Sequence, residues 1–156
     1  MTSASFSYPD FENVEFLKDH VQKVLNFYRG RALDPSGGFF HGFQDDGTLF
    51  DKELKHIVSS CRFIFNFAGA YCRDGNPEDL ALAEHGLKFL TSAHQMQDGF
   101  YAWELKEGRV SDGRAMAYGH AFVLFAASHA LHAGLTSARS ILDEVWSLLE
   151  KHFWEP

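Results

Sequence analysis

Cysteine is scarce in this chain of 156 residues, and the two that occur, Cys61 and Cys72, are too few for a disulfide framework. They also lack the spacing typical of metal ligands. The opening residues, MTSASFSYPD, have no basic segment followed by an apolar one, as a secretory signal would. We therefore expect a cytoplasmic protein that folds without disulfide support.

An excess of positive charge is also missing, because 14 Lys and Arg face 21 Asp and Glu, for a formal net charge of −7. Nucleic acids and anionic membrane surfaces attract basic patches, so neither is expected as a partner. Residues 115–138 contain no Asp, Glu, Lys or Arg. The glycines and histidines within them nevertheless make a poor membrane span, and no membrane association is expected.

Familiar catalytic and cofactor motifs are absent as well. The chain has neither the phosphate-binding pattern G-x-x-x-x-G-K nor the nucleophile pattern G-x-S-x-G. His129 and His132 stand three residues apart, but no third ligand at a fixed spacing accompanies them, so no metal is expected. Aromatic residues, in contrast, make up 15% of the chain and include 16 Phe. These rings must be buried or presented to a ligand.

An internal repeat predicts the architecture. GGFFHGFQDDGTLFD (37–51) aligns without a gap on DGFYAWELKEGRVSD (98–112), so that Phe39 matches Phe100 and every pair lies 61 positions apart. Repeats of this period indicate repeated supersecondary units. Each copy has a short aromatic segment, a polar turn ending in glycine and a second short segment, which predicts a small β-hairpin.

Each predicted hairpin is followed by two helical segments of different character. Segments 56–72 and 115–134 are apolar nearly all round, which is typical of helices buried on all sides. Segments 77–94 and 136–153 carry their apolar residues on one face, as surface helices do. A leading segment, 11–29, has the same one-faced pattern. The unit is therefore a hairpin, an inner helix and an outer helix.

Such units stacked in a ring form an α/α toroid whose inner helices surround a central pocket. We predict an all-α fold in which residues 1–156 form a single incomplete α/α-barrel domain, with two repeats, a leading helix and β-hairpins between helix pairs. A ring of six units needs on the order of 370 residues, so we expect the N-terminal part of a longer protein. The alternative is a short chain whose open barrel edge is covered by a second copy or another partner.

Arg62 is the strongest candidate for a functional residue, because it stands in SSCRFIFNF on a helix predicted to have no solvent face. A guanidinium keeps its charge, and burying it unpaired is costly. It therefore either faces a polar ligand in the central pocket or forms a buried ion pair between helices. The predicted pocket favours the first interpretation.

Three further polar residues stand near the predicted mouth of the ring. Tyr118 and His120 begin the second inner helix, and each is either a substrate contact or a satisfied core group. His56 occupies the matching stretch of the first inner helix and is a weaker candidate for substrate binding. The hairpin aromatics either pack beneath the loops or flank a sugar ring; they are Phe39, Phe40, Tyr101 and Trp103.

Several of these segments resemble the N-acylglucosamine 2-epimerase superfamily, and within it the aldose–ketose isomerase branch of mannose and sulfoquinovose isomerases. The resemblance rests on GGFFHGFQDDGTLFD, KHIVSSCRFIF, DGFYAW, AYGHAFVLFAASHAL and KHFWEP, which follow the family's order from residue 37 to 156. It implies the N-terminal part of an (α/α)6 barrel, in agreement with the repeat. It also implies a small sugar as substrate and no cofactor.

The resemblance further implies roles for single residues. Arg62 would stabilise the enediolate of the substrate, Tyr118 would line the sugar pocket, and His120 lies in the same YGHAF motif. The implied reaction moves a proton at C2 through a cis-enediol, without a metal. The two histidines that exchange this proton lie later in the family's barrel, beyond Pro156, so we expect no turnover by this chain alone.

Two alternatives remain beside an isomerase that interconverts an aldose and a ketose of the mannose and fructose type. The chain is either part of such an enzyme or a non-catalytic short form that binds a sugar or a protein through its open edge. Within the enzymes, the alternative is an N-acylglucosamine 2-epimerase.

Overall fold

Five α-helices and five short strands make up residues 8–154, the part of the chain that the computed structural model describes. The helices are α1 (Val14–Arg29), α2 (Ile57–Asp74), α3 (Pro77–Phe89), α4 (Ala117–His132) and α5 (Ala138–His152). A π-helical turn, Leu90–His94, continues α3. Every helical segment predicted from the sequence is present, so the all-α prediction is confirmed.

The helix ends follow from local sequence signals. Asn13 and Asn76 cap α1 and α3 by accepting hydrogen bonds from backbone N–H groups of the first turn, which have no partner inside the helix. Pro77 is the first residue of α3, where its missing N–H costs nothing. Gly75 ends α2 with a φ of 70°, a left-handed conformation that glycine adopts without strain.

Helices α2 and α4 form the centre of the array. They pack on each other, α2 also contacts α3, and α4 also contacts α5. The largest core cluster joins α2, α4 and α5 through Ile64, Val123, Val145 and their neighbours. This arrangement places the inner helices side by side with the outer helices behind them, as the repeat predicts.

The strands form two small antiparallel sheets. In the first, β1 (Gly42–Phe43) pairs with β2 (Leu49–Asp51). In the second, β4 (Glu104–Lys106) pairs with both β5 (Arg109–Asp112) and β3 (Lys55–His56). The sequence did not predict β3, which joins the start of α2 to the second hairpin and so ties the two repeats together.

The repeat contains a one-residue offset that the gapless alignment missed. Before the turn, the equivalent residues lie 62 positions apart: the Gly37 N–H donates to the Asp34 carbonyl and the Gly99 N–H to the Met96 carbonyl, both at 3.0 Å. After the turn the spacing is 61. Two residues separate Lys106 from its partner Arg109 in the second hairpin, whereas three separate Gln44 from Thr48, whose carbonyl accepts the Gln44 N–H. Phe39 therefore matches Tyr101, and both rings are buried, at 0% and 1% exposure.

The inner helices are not buried on all sides in residues 8–154, which corrects a prediction. Helix α2 exposes Arg62 and Asn66, and α4 exposes Tyr118 and Phe125 along one face. The remaining faces of both helices lie in the core. An all-round apolar composition therefore does not exclude an exposed stripe on each inner helix.

Within residues 8–154, two ion pairs lie in the interior. Arg29 of α1 donates two hydrogen bonds of 2.7 Å to Asp79 of α3, whose side chain is fully buried. Lys55 contacts Asp34 at 2.6 Å, with side-chain exposures of 6% and 7%. Both pairs join segments distant in sequence, and each neutralises a charge that would be costly to bury alone.

Apolar side chains are exposed at both ends of the helix array. Val14, Leu17, Val21 and Val24 of α1 are each at least 42% exposed, and Trp146 of α5 is 52% exposed.

Within the described residues, no helix combines the length and the hydropathy needed to cross a bilayer.

Candidate functional site

A cavity of about 190 Å³ lies between α1, the first hairpin and α2. Polar groups enter it mainly from α2, where a spacing of three and four residues places them on one helix face. Its lining residues are Tyr28, His41, Ser59, Arg62, Phe63 and Asn66. The cavity therefore combines one permanent cation with hydroxyl, amide and imidazole groups beside aromatic rings.

Arg62 is exposed on α2, and its guanidinium packs on an aromatic ring and not on a carboxylate. Its guanidinium carbon lies 5.3 Å from the centre of the Phe122 ring of α4. Among residues 8–154 it has no hydrogen bond and no ion pair, so the buried ion pair considered from the sequence is not formed there. All the guanidinium N–H donors remain available to a ligand.

Tyr118 lies on α4, outside the cavity that Arg62 lines. It is 55% exposed and lines an apolar groove with Trp146 and Trp154, not the cavity of Arg62. The two residues are linked through Phe122, whose ring lies 5.0 Å from that of Tyr118, edge to face. The structure thus places the two candidates on neighbouring inner helices with one aromatic side chain between them.

His56 has a local structural task. It is the N-cap of α2, and its Nδ1 accepts a 3.2 Å hydrogen bond from the Val58 N–H. Its ring packs edge to face on Trp103 at 4.3 Å. Burial lowers its pKa, Glu104 opposes this shift, and the charge of Arg62 adds to the lowering. His56 does not line the cavity itself.

His120 is buried, and both of its ring nitrogens are occupied. Nδ1–H donates to the Met116 carbonyl at 2.8 Å, and Nε2 accepts from the Tyr101 N–H at 3.1 Å. Because both nitrogens are engaged, the ring has no donor or acceptor left for a substrate. Of the two interpretations of this residue, the geometry favours the satisfied core group: His120 fastens the second hairpin to the start of α4.

The hairpin aromatics divide between core and rim. Phe39 and Tyr101 are buried, which agrees with packing beneath the loops. Trp103 is partly buried against His56, and Phe40 lies under the Lys55 ammonium at 5.1 Å. None of the four lines the cavity of Arg62.

The cavity contains a residue that sequence reasoning missed. His41 follows the aromatic pair of the first hairpin, and its Nδ1 accepts a 3.1 Å hydrogen bond from the His56 N–H. Burial, with further contributions from Lys55, His94 and His56, lowers its pKa from 6.5 to about 3. The only sequence signal for His41 was its place in the FFHGF motif. The cavity is formed by α1, the first hairpin and α2 together, so no single segment of the sequence indicates it.

Because His41 and His94 are buried and neutral in the folded state, we predict that the fold loses stability at low pH. His94 is also buried: its Nδ1–H donates to the Ala102 carbonyl, its Nε2 lies 3.3 Å from the Ser60 hydroxyl, and burial lowers its pKa to about 4. The unfolded state takes up protons near pH 6.5, whereas these two rings in the folded state stay neutral to much lower pH. Stability is therefore full above pH 6.5 and falls as the pH drops toward 4.

From pH 7 to pH 5 we expect His41 and His94 each to remove about 2 kcal/mol, or ~4 kcal/mol together, from the free energy of unfolding. Urea unfolding at the two pH values measures this loss. Replacing His94 with glutamine should flatten the pH dependence, whereas His132→Gln, at an exposed position, should not. An equal free energy of unfolding at both pH values would contradict the assignment.

Comparison with known proteins identifies the family. The model of the N-acylglucosamine 2-epimerase family matches residues 38–156, a segment that contains Arg62 and Tyr118. The chain belongs to the N-acylglucosamine 2-epimerase family. It is 45% identical over 149 residues to a D-mannose isomerase of Marinomonas mediterranea, and 25% identical over 142 residues to a cellobiose 2-epimerase of Eubacterium cellulosolvens.

The fold agrees with this family assignment. A crystal structure of a D-mannose isomerase superposes with a TM-score of 0.91 and 45% sequence identity over 96% of this chain. The solved relatives are (α/α)6 barrels, so the chain forms part of such a barrel. It spans 38% of the length of the M. mediterranea relative and 35% of the E. cellulosolvens relative.

Proposed function

We propose that this chain is part of an aldose–ketose isomerase that interconverts a sugar of the mannose type with its ketose. The observation that carries the proposal is the 45% identity to a D-mannose isomerase across 96% of this chain, including the α2 and α4 segments with Arg62 and Tyr118. Isomerisation removes a proton from the carbon beside a carbonyl, and negative charge then develops on oxygen. A preorganised guanidinium is well suited to stabilise that charge.

In the proposed mechanism Arg62 binds the enediolate oxygens, and Tyr118 contacts the sugar from the neighbouring helix. Polar groups beside Arg62 in the cavity supply hydrogen bonds to hydroxyls. We assign no proton transfer to His56, which caps α2, or to His120, whose nitrogens are both engaged. The groups that move the proton are proposed to come from barrel residues outside this chain, and the chain alone is expected to be inactive.

The proposal is tested with the protein produced from its complete reading frame. Incubation with D-mannose should yield fructose, and in D2O the product should carry deuterium at the exchanged carbon. EDTA should leave the rate unchanged. The same assay with N-acetylglucosamine and with cellobiose distinguishes the branches: epimerisation of either sugar without any conversion of mannose would replace the isomerase assignment by a 2-epimerase one.

The exposed apolar ends of the array favour one second candidate, a short form that binds a partner without catalysis. In the proposed enzyme, further barrel helices cover α1 at one end and α5 at the other. In the short form, a second copy or another protein would cover them. The intact mass of the protein isolated from its source decides between these: a mass of 17.7 kDa supports the short form, and a much larger one the enzyme.

A further inference from the structure

His41 is fixed in one protonation state by its surroundings. Its Nδ1 accepts the His56 N–H at 3.1 Å, so that nitrogen carries no proton. In a neutral imidazole the proton then resides on Nε2, which is a donor. The low pKa of the buried ring keeps it neutral at pH 7. His41 therefore presents an N–H group and no charge.

That donor has no acceptor among residues 8–154. Nε2 of His41 is buried and is one of only two buried side-chain polar atoms in the described residues without a hydrogen-bond partner. The other, the Tyr101 hydroxyl, lies in the core. Leaving a buried donor unpaired is costly, and such groups in native proteins call for an explanation.

The position of His41 supplies the explanation. The ring is stacked at 5.9 Å on Phe63 and lines the same cavity as Arg62, Ser59 and Asn66. We propose that His41 is a substrate-binding residue whose Nε2–H donates to a hydroxyl oxygen of a sugar held in this cavity. The inference deepens the proposed function, since it names a binding contact for a hydroxyl that does not react.

A neutral donor suits this task better than a charged one. The reacting oxygens attract the guanidinium of Arg62, and a second cation beside it would compete for them. An uncharged N–H adds no second positive charge beside the reacting oxygens, and it donates to a hydroxyl oxygen that lies in its direction. It therefore discriminates between sugars by the position of a hydroxyl. Losing such a contact leaves a buried polar group unpaired, which is how binding sites reject analogues.

Two amide substitutions separate the binding contact from the structural one. The side-chain oxygen of asparagine lies near the position of Nδ1, so His41→Asn retains an acceptor for the His56 N–H and removes the Nε2 donor. Glutamine reaches the position of Nε2, so His41→Gln retains the donor and removes that acceptor. The first variant should bind sugar poorly and fold normally. The second should bind sugar better than the first and be less stable.

The probe is D-mannitol, which carries sugar hydroxyls but no carbonyl and is not isomerised. In the protein from the complete reading frame, His41→Asn should raise the Kd for mannitol and the KM for mannose by about three- to tenfold, with little change in kcat. His41→Gln, which retains the donor, should raise both less than His41→Asn does. In the unaltered protein, the 15N resonance of His41 Nε2 should shift when mannitol binds, a readout that requires no variant to fold.

Each outcome decides the inference. Unchanged mannitol affinity in His41→Asn, a stationary Nε2 resonance during saturation with mannitol, or no binding of mannitol by the unaltered protein overturns it. If mannitol binding depends on His41 while no sugar is isomerised, the inference stands and the proposed function fails. If mannose is isomerised and His41→Asn matches the unaltered protein in KM, the proposed function stands and the inference fails.

Discussion

Replacing Arg62 with methionine is expected to lower kcat/KM for mannose isomerisation about 10²- to 10³-fold while the protein stays folded. The catalytic loss follows from the charge that develops on substrate oxygen, since removing one preorganised stabilising group typically costs this much. The fold should be spared because Arg62 is exposed and has no hydrogen bond or ion pair within the described residues. Its contact with Phe122 is worth about 0.5–1 kcal/mol.

Lysine at the same position separates charge from shape. Arg62→Lys keeps the positive charge but loses the planar donors that can hydrogen-bond two oxygens at once. It should therefore be more active than Arg62→Met and less active than the unaltered protein. Arg73→Lys on the same helix is the matched control, because Arg73 pairs with its neighbour Asp74 and should leave kcat/KM within about twofold. Near-normal turnover by Arg62→Met would remove Arg62 from the mechanism.

The helices and their order were accessible from the sequence because they depend on local patterns. The one-faced spacing of α3 and α5 and the Pro77 signal predicted their positions closely. The hairpin register was not predicted correctly. Matching identical residues gave a uniform spacing of 61, whereas the first turn holds one more residue than the second. A turn tolerates this difference, but in a strand a shift of one residue exchanges the buried and exposed faces.

The candidate site was harder to predict, because burial is decided by packing between segments distant in sequence. Phe125 is exposed and Phe67 is buried, yet both stand in similar apolar stretches of the sequence. Histidines were equally ambiguous: His120 and His41 both stand within two positions of aromatic residues in the sequence. Only the backbone partners that distant segments bring to them show that His120 is fully bonded and that His41 retains one free donor.

Replacing Lys55 with methionine is expected to destabilise the fold by about 3–5 kcal/mol, a large share of the stability of a typical domain. Lys55 donates to Asp34 at 2.6 Å and to the Phe39 carbonyl at 2.9 Å, and its ammonium lies over the Phe40 ring. Burial alone would raise the pKa of Asp34, but hydrogen bonds from Lys55 and Ser36 outweigh it and lower that pKa. Without the lysine the carboxylate stays buried and uncompensated.

The mechanism makes the loss reversible by a second change. Asp34→Asn removes the stranded charge, so the double variant with Lys55→Met should be more stable than Lys55→Met alone, and the two effects should not add. Lys23→Met breaks the surface pair with Asp19, whose side chain is 60% exposed, and should cost less than about 1 kcal/mol. Chemical unfolding of the unaltered protein, the two single variants at Lys55 and Asp34 and the double variant measures this coupling. A double variant as unstable as the sum of the single ones would show that Lys55 acts through packing of its stem and not through Asp34.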